Sequence, residues 1–167
     1  YIMETDDVAR VLAAAQKTPH LTEIHIVSAL HPDRPFSYYE DVVRQVHAAL
    51  PHADIKAFTP VEVVNFAQTE ETSVRDILCR LQAAGLSSLP GGGAEILSDR
   101  VRAIICPKKA TRAEWLDCMR TAHELGIKTN ASMLYGHIET LEERVAHMMR
   151  LRDLQDEDPR QQGPVGA

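Results

Sequence analysis

The run Leu89-Pro90-Gly91-Gly92-Gly93-Ala94-Glu95 combines two things a small-molecule site needs: backbone that can approach a ligand, and a carboxylate to orient it. Three consecutive glycines open backbone angles closed to other residues. Glu95 can accept from ribose hydroxyls or an ammonium group. The same run also reads as a flexible turn with a surface glutamate. A second constellation, Tyr135-Gly136-His137-Ile138-Glu139, sets a small residue beside His137 and Glu139, which bring acid/base capacity. Its plainer reading gives Gly136 to a turn and Glu139 to the negative charge favoured at a helix start. The third is Ser28-Ala29-Leu30-His31-Pro32, where His31 is either a site residue or an exposed loop histidine. His31, His137, Glu95 and Glu139 can be drawn together as a metal site. None has close-ligand spacing such as His-x-His, so no metal ligand is assigned. Cys79, Cys106 and Cys118 are too widely spaced for a cluster-binding loop and read as core packing.

The elements that position these residues alternate strand and helix. A helix over about 5–16 begins on Thr5, Asp6 and Asp7. Strands are expected at Ile24–Val27, Ile55–Phe58, Leu86–Leu89 and Thr129–Leu134. Ser37 with Glu40, Thr59 with Glu62, Thr111 with Glu114 and Thr140 with Glu143 read as capping boxes opening helices. Further helices start near Ser73, stopping at Gly85, and at Ser98. Four strand–helix repeats signal a parallel sheet with crossover helices, and all three constellations fall at strand C-termini. Barrel and open α/β enzymes both place their chemistry there. Four strands cannot close a barrel that needs about 250 residues, so an arc with two edges is expected. One domain over 1–157 is expected, followed by a breaker-rich, disordered tail over 158–167.

A formal charge of −6 without a Lys/Arg cluster disfavours nucleic acid. No apolar run nears the roughly 20 residues that span a bilayer, so no membrane partner is expected. Three odd, scattered cysteines suit a reducing cytoplasm better than a disulfide framework. Tyr1 is not an initiator, which reads either as a trimmed chain or as a start in mid-domain.

Taken together, these stretches resemble a known family. Thr22 to Val27 running into Leu30-His31-Pro32, Lys56 to Thr59, Leu89 to Ile96 (LPGGGAEI), Ile105-Cys106-Pro107, Glu114-Trp115-Leu116, Thr121 to Gly126 and Met133 to Thr140 (MLYGHIET) form an ordered string, continued over Leu151 to Glu157. It is similar to the radical SAM aminofutalosine synthases of menaquinone biosynthesis, over about 2–157. Cyclic dehypoxanthinyl futalosine synthases and deazaflavin-precursor synthases share the glycine–Glu loop. The resemblance implies a partial TIM-type (β/α) barrel of about four units, S-adenosyl-L-methionine, a 4Fe-4S cluster on a CxxxCxxC loop and an external electron donor. It implies a small-molecule substrate, 3-(1-carboxyvinyloxy)benzoate, converted to 6-amino-6-deoxyfutalosine. By the same analogy Ser28, Ala29, Gly92, Gly93, Glu95, Gly136 and Glu139 would bind the cofactor, and His31 and His137 would face the substrate.

Two features depart from the family. The CxxxCxxC loop is absent from this chain, and Ser28 and Ala29 stand where the family carries two glycines beside the methionine moiety. Two rival readings stay open: a metal-dependent barrel hydrolase using His31, His137 and the two glutamates, and a non-catalytic remnant.

Overall fold

The computed structural model describes residues 3–29, 31 and 33–158. In chain order the elements are α1 (Thr5–Ala15), β1 (Glu23–Ile26), α2 (Phe36–Ala49), β2 (Asp54–Ala57), α3 (Pro60–Thr69), α4 (Val74–Ala84), β3 (Ser88–Leu89), α5 (Asp99–Ile105), α6 (Arg112–Glu124), β4 (Lys128–Thr129) and α7 (Leu141–Asp156). The strands form one parallel sheet in the order β1-β2-β3-β4, with Ile24 opposite Ile55 and Ser88 opposite both Lys56 and Lys128. A doubly wound sheet reverses its strand order at a switch point, whereas a barrel adds each strand beside the last. The sequential order therefore settles the α/β choice as an arc of a (β/α) barrel. The inner strand β3 is buried and β2 buries Ile55 and Ala57, while β1 and β4, each with one neighbour, have no fully buried residue.

Most helix starts follow from local sequence. Thr59, Ser73, Ser98, Thr111 and Thr140 each accept from an amide of the first turn. Gly85 ends α4 at φ +118°, in the left-handed region. Two starts differ from expectation. In α1 the cap is Glu4, whose amide donates to Asp7 at 3.1 Å. In α2 the helix begins at Phe36, so Ser37 is no cap. Buried Phe36 stacks on Phe66 at 5.2 Å and draws the start forward, while Glu40 binds Arg44 at 3.0 Å and Arg80 at 2.7 Å instead.

The fourth strand is also shorter than its apolar pattern predicts. It stops at Thr129 because β3 offers only two residues to pair with, and Asn130 then turns across Gly91. The core has two parts. One packs α1 to α4 and α6 on the sheet; the other joins Ala94, Leu97, Trp115, Met119 and Leu154 beneath the glycine run. Of the proposed tail, Asp158 is buried near His123, and the rest lies outside the described residues. No helix among the described residues is long and apolar enough to cross a membrane.

The cysteines divide. Cys106 and Cys118 are buried as expected, but Cys79 is exposed, on the outer face of α4. Burial pushes the Cys118 thiol up to about 12, and the thiolate is the reactive form. A thiol reagent near pH 8 is expected to label Cys79 quickly and Cys118 only on unfolding. Mass spectrometry of labelled peptides checks this; equal native labelling of both would refute the packing.

Candidate functional site

The C-terminal ends of all four strands lie on one edge, and two of them bend through an unusual residue. Phe58 after β2 has φ +59° and Glu95 after β3 has φ +46°, left-handed angles that cost a non-glycine residue about 1–3 kcal/mol. Phe58 is held there by an aromatic cluster, 5.6 Å from Tyr39 and 5.4 Å from Phe66. Glu95 is held by Lys109, whose ammonium lies 2.6 Å from its carboxylate, and by its carbonyl, which accepts from the Leu134 amide at 2.7 Å.

At the end of β1, Ser28 and Ala29 are exposed. The Ser28 hydroxyl donates to Glu62, a buried carboxylate that also accepts from the Thr59 amide at 2.7 Å and its hydroxyl at 2.8 Å. Ser28 is thus tied to the capping box of α3. His31 is half-buried and lines a cavity of about 390 Å³ with Ile26, Ser28, Ala29, Tyr38 and Phe58. Its Nδ1 accepts from the Asp33 amide at 3.1 Å, so the neutral ring carries its proton on Nε2.

The glycine run packs against protein on every side where a Cβ would stand. At Gly91 that atom would fall 2.1 Å from the Asn130 carbonyl oxygen, at Gly92 2.7 Å from the Thr59 methyl, and at Gly93 2.3 Å from a Val61 methyl. The Gly91 amide donates to Asn130 Oδ1 at 3.0 Å, and its carbonyl accepts from Ser132 at 3.2 Å. Below, Trp115 Nε1 donates to the Gly92 carbonyl at 3.2 Å. Buried Arg102 donates to the carbonyls of Gly93 at 3.0 Å and Ala94 at 2.5 Å, and also to Ala110. His147 of α7 accepts from the Leu97 amide at 3.1 Å, and burial together with Arg102 keeps its imidazole below its ordinary value, hence neutral.

Past β4, Gly136 turns at φ +90° with open space beside it, and Glu139 is folded inward rather than presented to solvent. Its carboxylate accepts from the Gly136 amide at 2.6 Å, the His137 amide at 2.9 Å and Arg144 at 2.6 Å. The Gly136 amide leads these donors in holding the carboxyl at about 2, against an opposing effect of burial. His137 turns both ring nitrogens into the same loop: Nε2 lies 3.1 Å from the Leu134 carbonyl, and Nδ1 accepts from the Ile138 amide at 2.8 Å. A carboxyl depressed in the folded state stabilises above its ordinary value of 4.5 and loses that contribution as pH falls toward 2. The amide resonances of Gly136 and His137 are therefore expected to shift with a midpoint near pH 2 rather than 4.5, with Glu139→Gln abolishing the step. A flat pH profile in the unmodified chain would refute this arrangement.

No hydrogen bond or ion pair among the described residues joins His31 to His137 or either to Glu95. No group of three or more His, Cys, Asp or Glu among the described residues is placed to hold a metal. The hydrolase reading thus has no ligand set, and the described residues do not fit an iron–sulfur cluster. They do suit S-adenosylmethionine in hydrogen-bonding chemistry, with the half-buried carboxylate of Glu95 and the exposed hydroxyls of Ser28 and Ser132 following strand C-terminal ends. A larger cavity, about 560 Å³, follows the open side of β4 past Thr129, Asn130 and Leu154 and does not include His31, Glu95 or His137.

Glu62, Arg102, Asn130, Ser132 and His147 are not among the site residues that the sequence suggests. Glu62 has a local signal, the capping box, but nothing near it points to Ser28.

Residues 1–151 match the radical SAM superfamily, and the chain belongs to it. It is 51% identical over 153 residues to the aminodeoxyfutalosine synthase of Thermus thermophilus, covering 90% of this chain and 41% of that protein. It is 46% identical over 157 residues to the aminodeoxyfutalosine synthase of Streptomyces coelicolor, covering 94% of this chain and 40% of the relative. To the 5-amino-6-(D-ribitylamino)uracil–L-tyrosine 4-hydroxyphenyl transferase 1 of Methanosarcina acetivorans it is 40% identical over 156 residues, covering 93% of this chain and 41% of the relative. The chain thus spans about two fifths of the length of these relatives.

Proposed function

We propose that this chain is the S-adenosylmethionine-facing arc of an aminofutalosine synthase. The reaction joins the 5′-deoxyadenosyl group of S-adenosylmethionine to 3-(1-carboxyvinyloxy)benzoate, releases methionine and, after aryl migration, the vinyl carboxyl group as carbon dioxide, and yields 6-amino-6-deoxyfutalosine for menaquinone synthesis. The observation that supports it is positional: Ser28, Ala29, His31, Gly92, Gly93, Glu95, Gly136, His137 and Glu139 all follow the C-terminal ends of parallel strands, where barrel enzymes bind their substrates. The higher identity to two aminodeoxyfutalosine synthases than to the hydroxyphenyl transferase favours this substrate class.

When bound, S-adenosylmethionine supplies the adenosyl group that is transferred. The chain's own residues bind and orient. Glu95 accepts hydrogen bonds from the cofactor, Ser28 and Ala29 flank its methionine end, and His31 contacts the substrate from the apolar cavity. Glu139 acts indirectly by holding the Gly136–His137 turn. Cluster ligands and an external electron donor complete the enzyme from outside the described residues. Unpaired thiols at Cys79, Cys106 and Cys118 fit a reducing cytoplasm.

The test has two parts. Calorimetry with S-adenosylmethionine should give saturable binding to this chain, weakened by Glu95→Ala. A longer protein carrying this segment should convert the carboxyvinyloxy-benzoate and leave tyrosine with 5-amino-6-(D-ribitylamino)uracil unchanged. Turnover of the second pair alone would assign it to the hydroxyphenyl transferases instead.

A further inference from the structure

The loop after β3 is asymmetric in how its peptide groups are used. Every carbonyl from Gly91 to Glu95 accepts from a protein donor: Ser132, Trp115, Arg102, Arg102 again, and the Leu134 amide. Among the described residues, no protein acceptor is bonded to the amides of Gly92, Gly93, Ala94 or Glu95. A trans peptide sets each carbonyl opposite the next amide. With the carbonyls of Gly92, Gly93 and Ala94 drawn down onto Trp115 and Arg102, the amides of Gly93, Ala94 and Glu95 face the other way.

The backbone angles agree. Gly93 has φ +79° and Glu95 φ +46°, and Ala94 between them is not at positive φ. Alternating handedness of this kind makes successive amides converge into a concave anion receptor. Charge adds to it. Arg102 is 5% exposed and bound by carbonyls alone, so its full positive charge lies under the loop. Lys109 adds a second cation, and Glu95 cancels one of the two.

We propose that the Gly93–Glu95 amides form an oxyanion site for a carboxylate or phosphate group of a small molecule. The accessible donors are those of half-buried Gly93 and Glu95, since Ala94 is fully buried. This deepens the functional reading above, on which it rests for the source of the anion: the carboxylate of S-adenosylmethionine or that of the aromatic acid. Glu95 is then a neighbour of the anion rather than its partner.

Inorganic phosphate, benzoate, S-adenosylmethionine and its decarboxylated form, titrated into the isotope-labelled chain, separate the possibilities by amide NMR. Phosphate is expected to give saturable downfield shifts of the Gly93 and Glu95 amide protons. Glu95→Gln should tighten phosphate about two- to fivefold, and Lys109→Ala should weaken it by a similar factor, as one exposed charge allows. S-adenosylmethionine moving these amides where its decarboxylated form does not would identify the cofactor's carboxylate as the anion. Benzoate moving them where S-adenosylmethionine does not would identify the aromatic acid.

The two ideas fail separately. Phosphate shifts without any S-adenosylmethionine binding would leave the anion site standing and sink the cofactor reading. S-adenosylmethionine shifting Ser28 and Ala29, while none of the probes moves Gly93 or Glu95, would do the reverse. Weaker phosphate binding in Glu95→Gln would also overturn the site, because it would make the carboxyl side chain the contact.

Discussion

Replacing Gly91 by alanine is expected to lower the unfolding free energy by about 3 kcal/mol, near the upper range for forcing atoms into a packed interior. The new methyl would lie 2.1 Å from the Asn130 carbonyl oxygen and 2.4 Å from Ala131 Cα. Both are backbone, so no side chain can swing aside. The chain beyond β4 would have to lift away, breaking the Gly91 amide to Asn130 Oδ1 bond at 3.0 Å and the Ser132 bond at 3.2 Å. Gly136 is the control. It has open space beside it and only its φ of +90° to lose, so Gly136→Ala should cost about 1 kcal/mol. Urea unfolding of the two variants measures the difference, and equal losses would mean that the strand contact at Gly91 is not as close as described.

Arg102→Met should be more damaging still, by about 4 kcal/mol, a large part of a typical domain's stability. Methionine fills a similar volume but leaves the carbonyls of Gly93, Ala94 and Ala110 without their donor. Arg102→Lys is the informative companion. It keeps the charge but loses the planar fork that reaches three carbonyls at once, so it should recover less than half of the loss. Hydrogen exchange at the Leu97 amide, which donates to His147, should speed in both variants before the rest of the sheet opens. A lysine variant as stable as the parent would show that charge alone, not the fork, holds the loop.

These effects originate in contacts that the local pattern does not contain. The element order was legible because it depends on neighbouring residues: short runs with β-branched residues for strands, threonine–glutamate boxes for α3, α6 and α7, and a glycine closing α4. Where local signals failed, a distant packing demand had won. Ser37 and Glu40 have capping-box spacing, but Phe36 buries against Phe66 and Glu40 is taken by Arg44 and Arg80. The apolar stretch after Thr129 has strand character, but β3 gives it nothing further to pair with.

The glycine run and Glu95 were visible from the start as a place where a ligand could meet the backbone, and the family resemblance rests on contiguous strings of the same kind. Which way that backbone faces was not visible. Its carbonyls are claimed by Ser132, 41 residues away, and by Trp115, 23 away, and the loop is tied to α7 through His147 and Leu97, 50 apart. Likewise Glu62 caps its own helix by local spacing, but only the fold brings Ser28 to it across 34 residues. Residue type and spacing determined which groups could bind. Tertiary packing decided which of them remain available, because a hydrogen-bonding group already held by a distant partner has little left to offer a ligand.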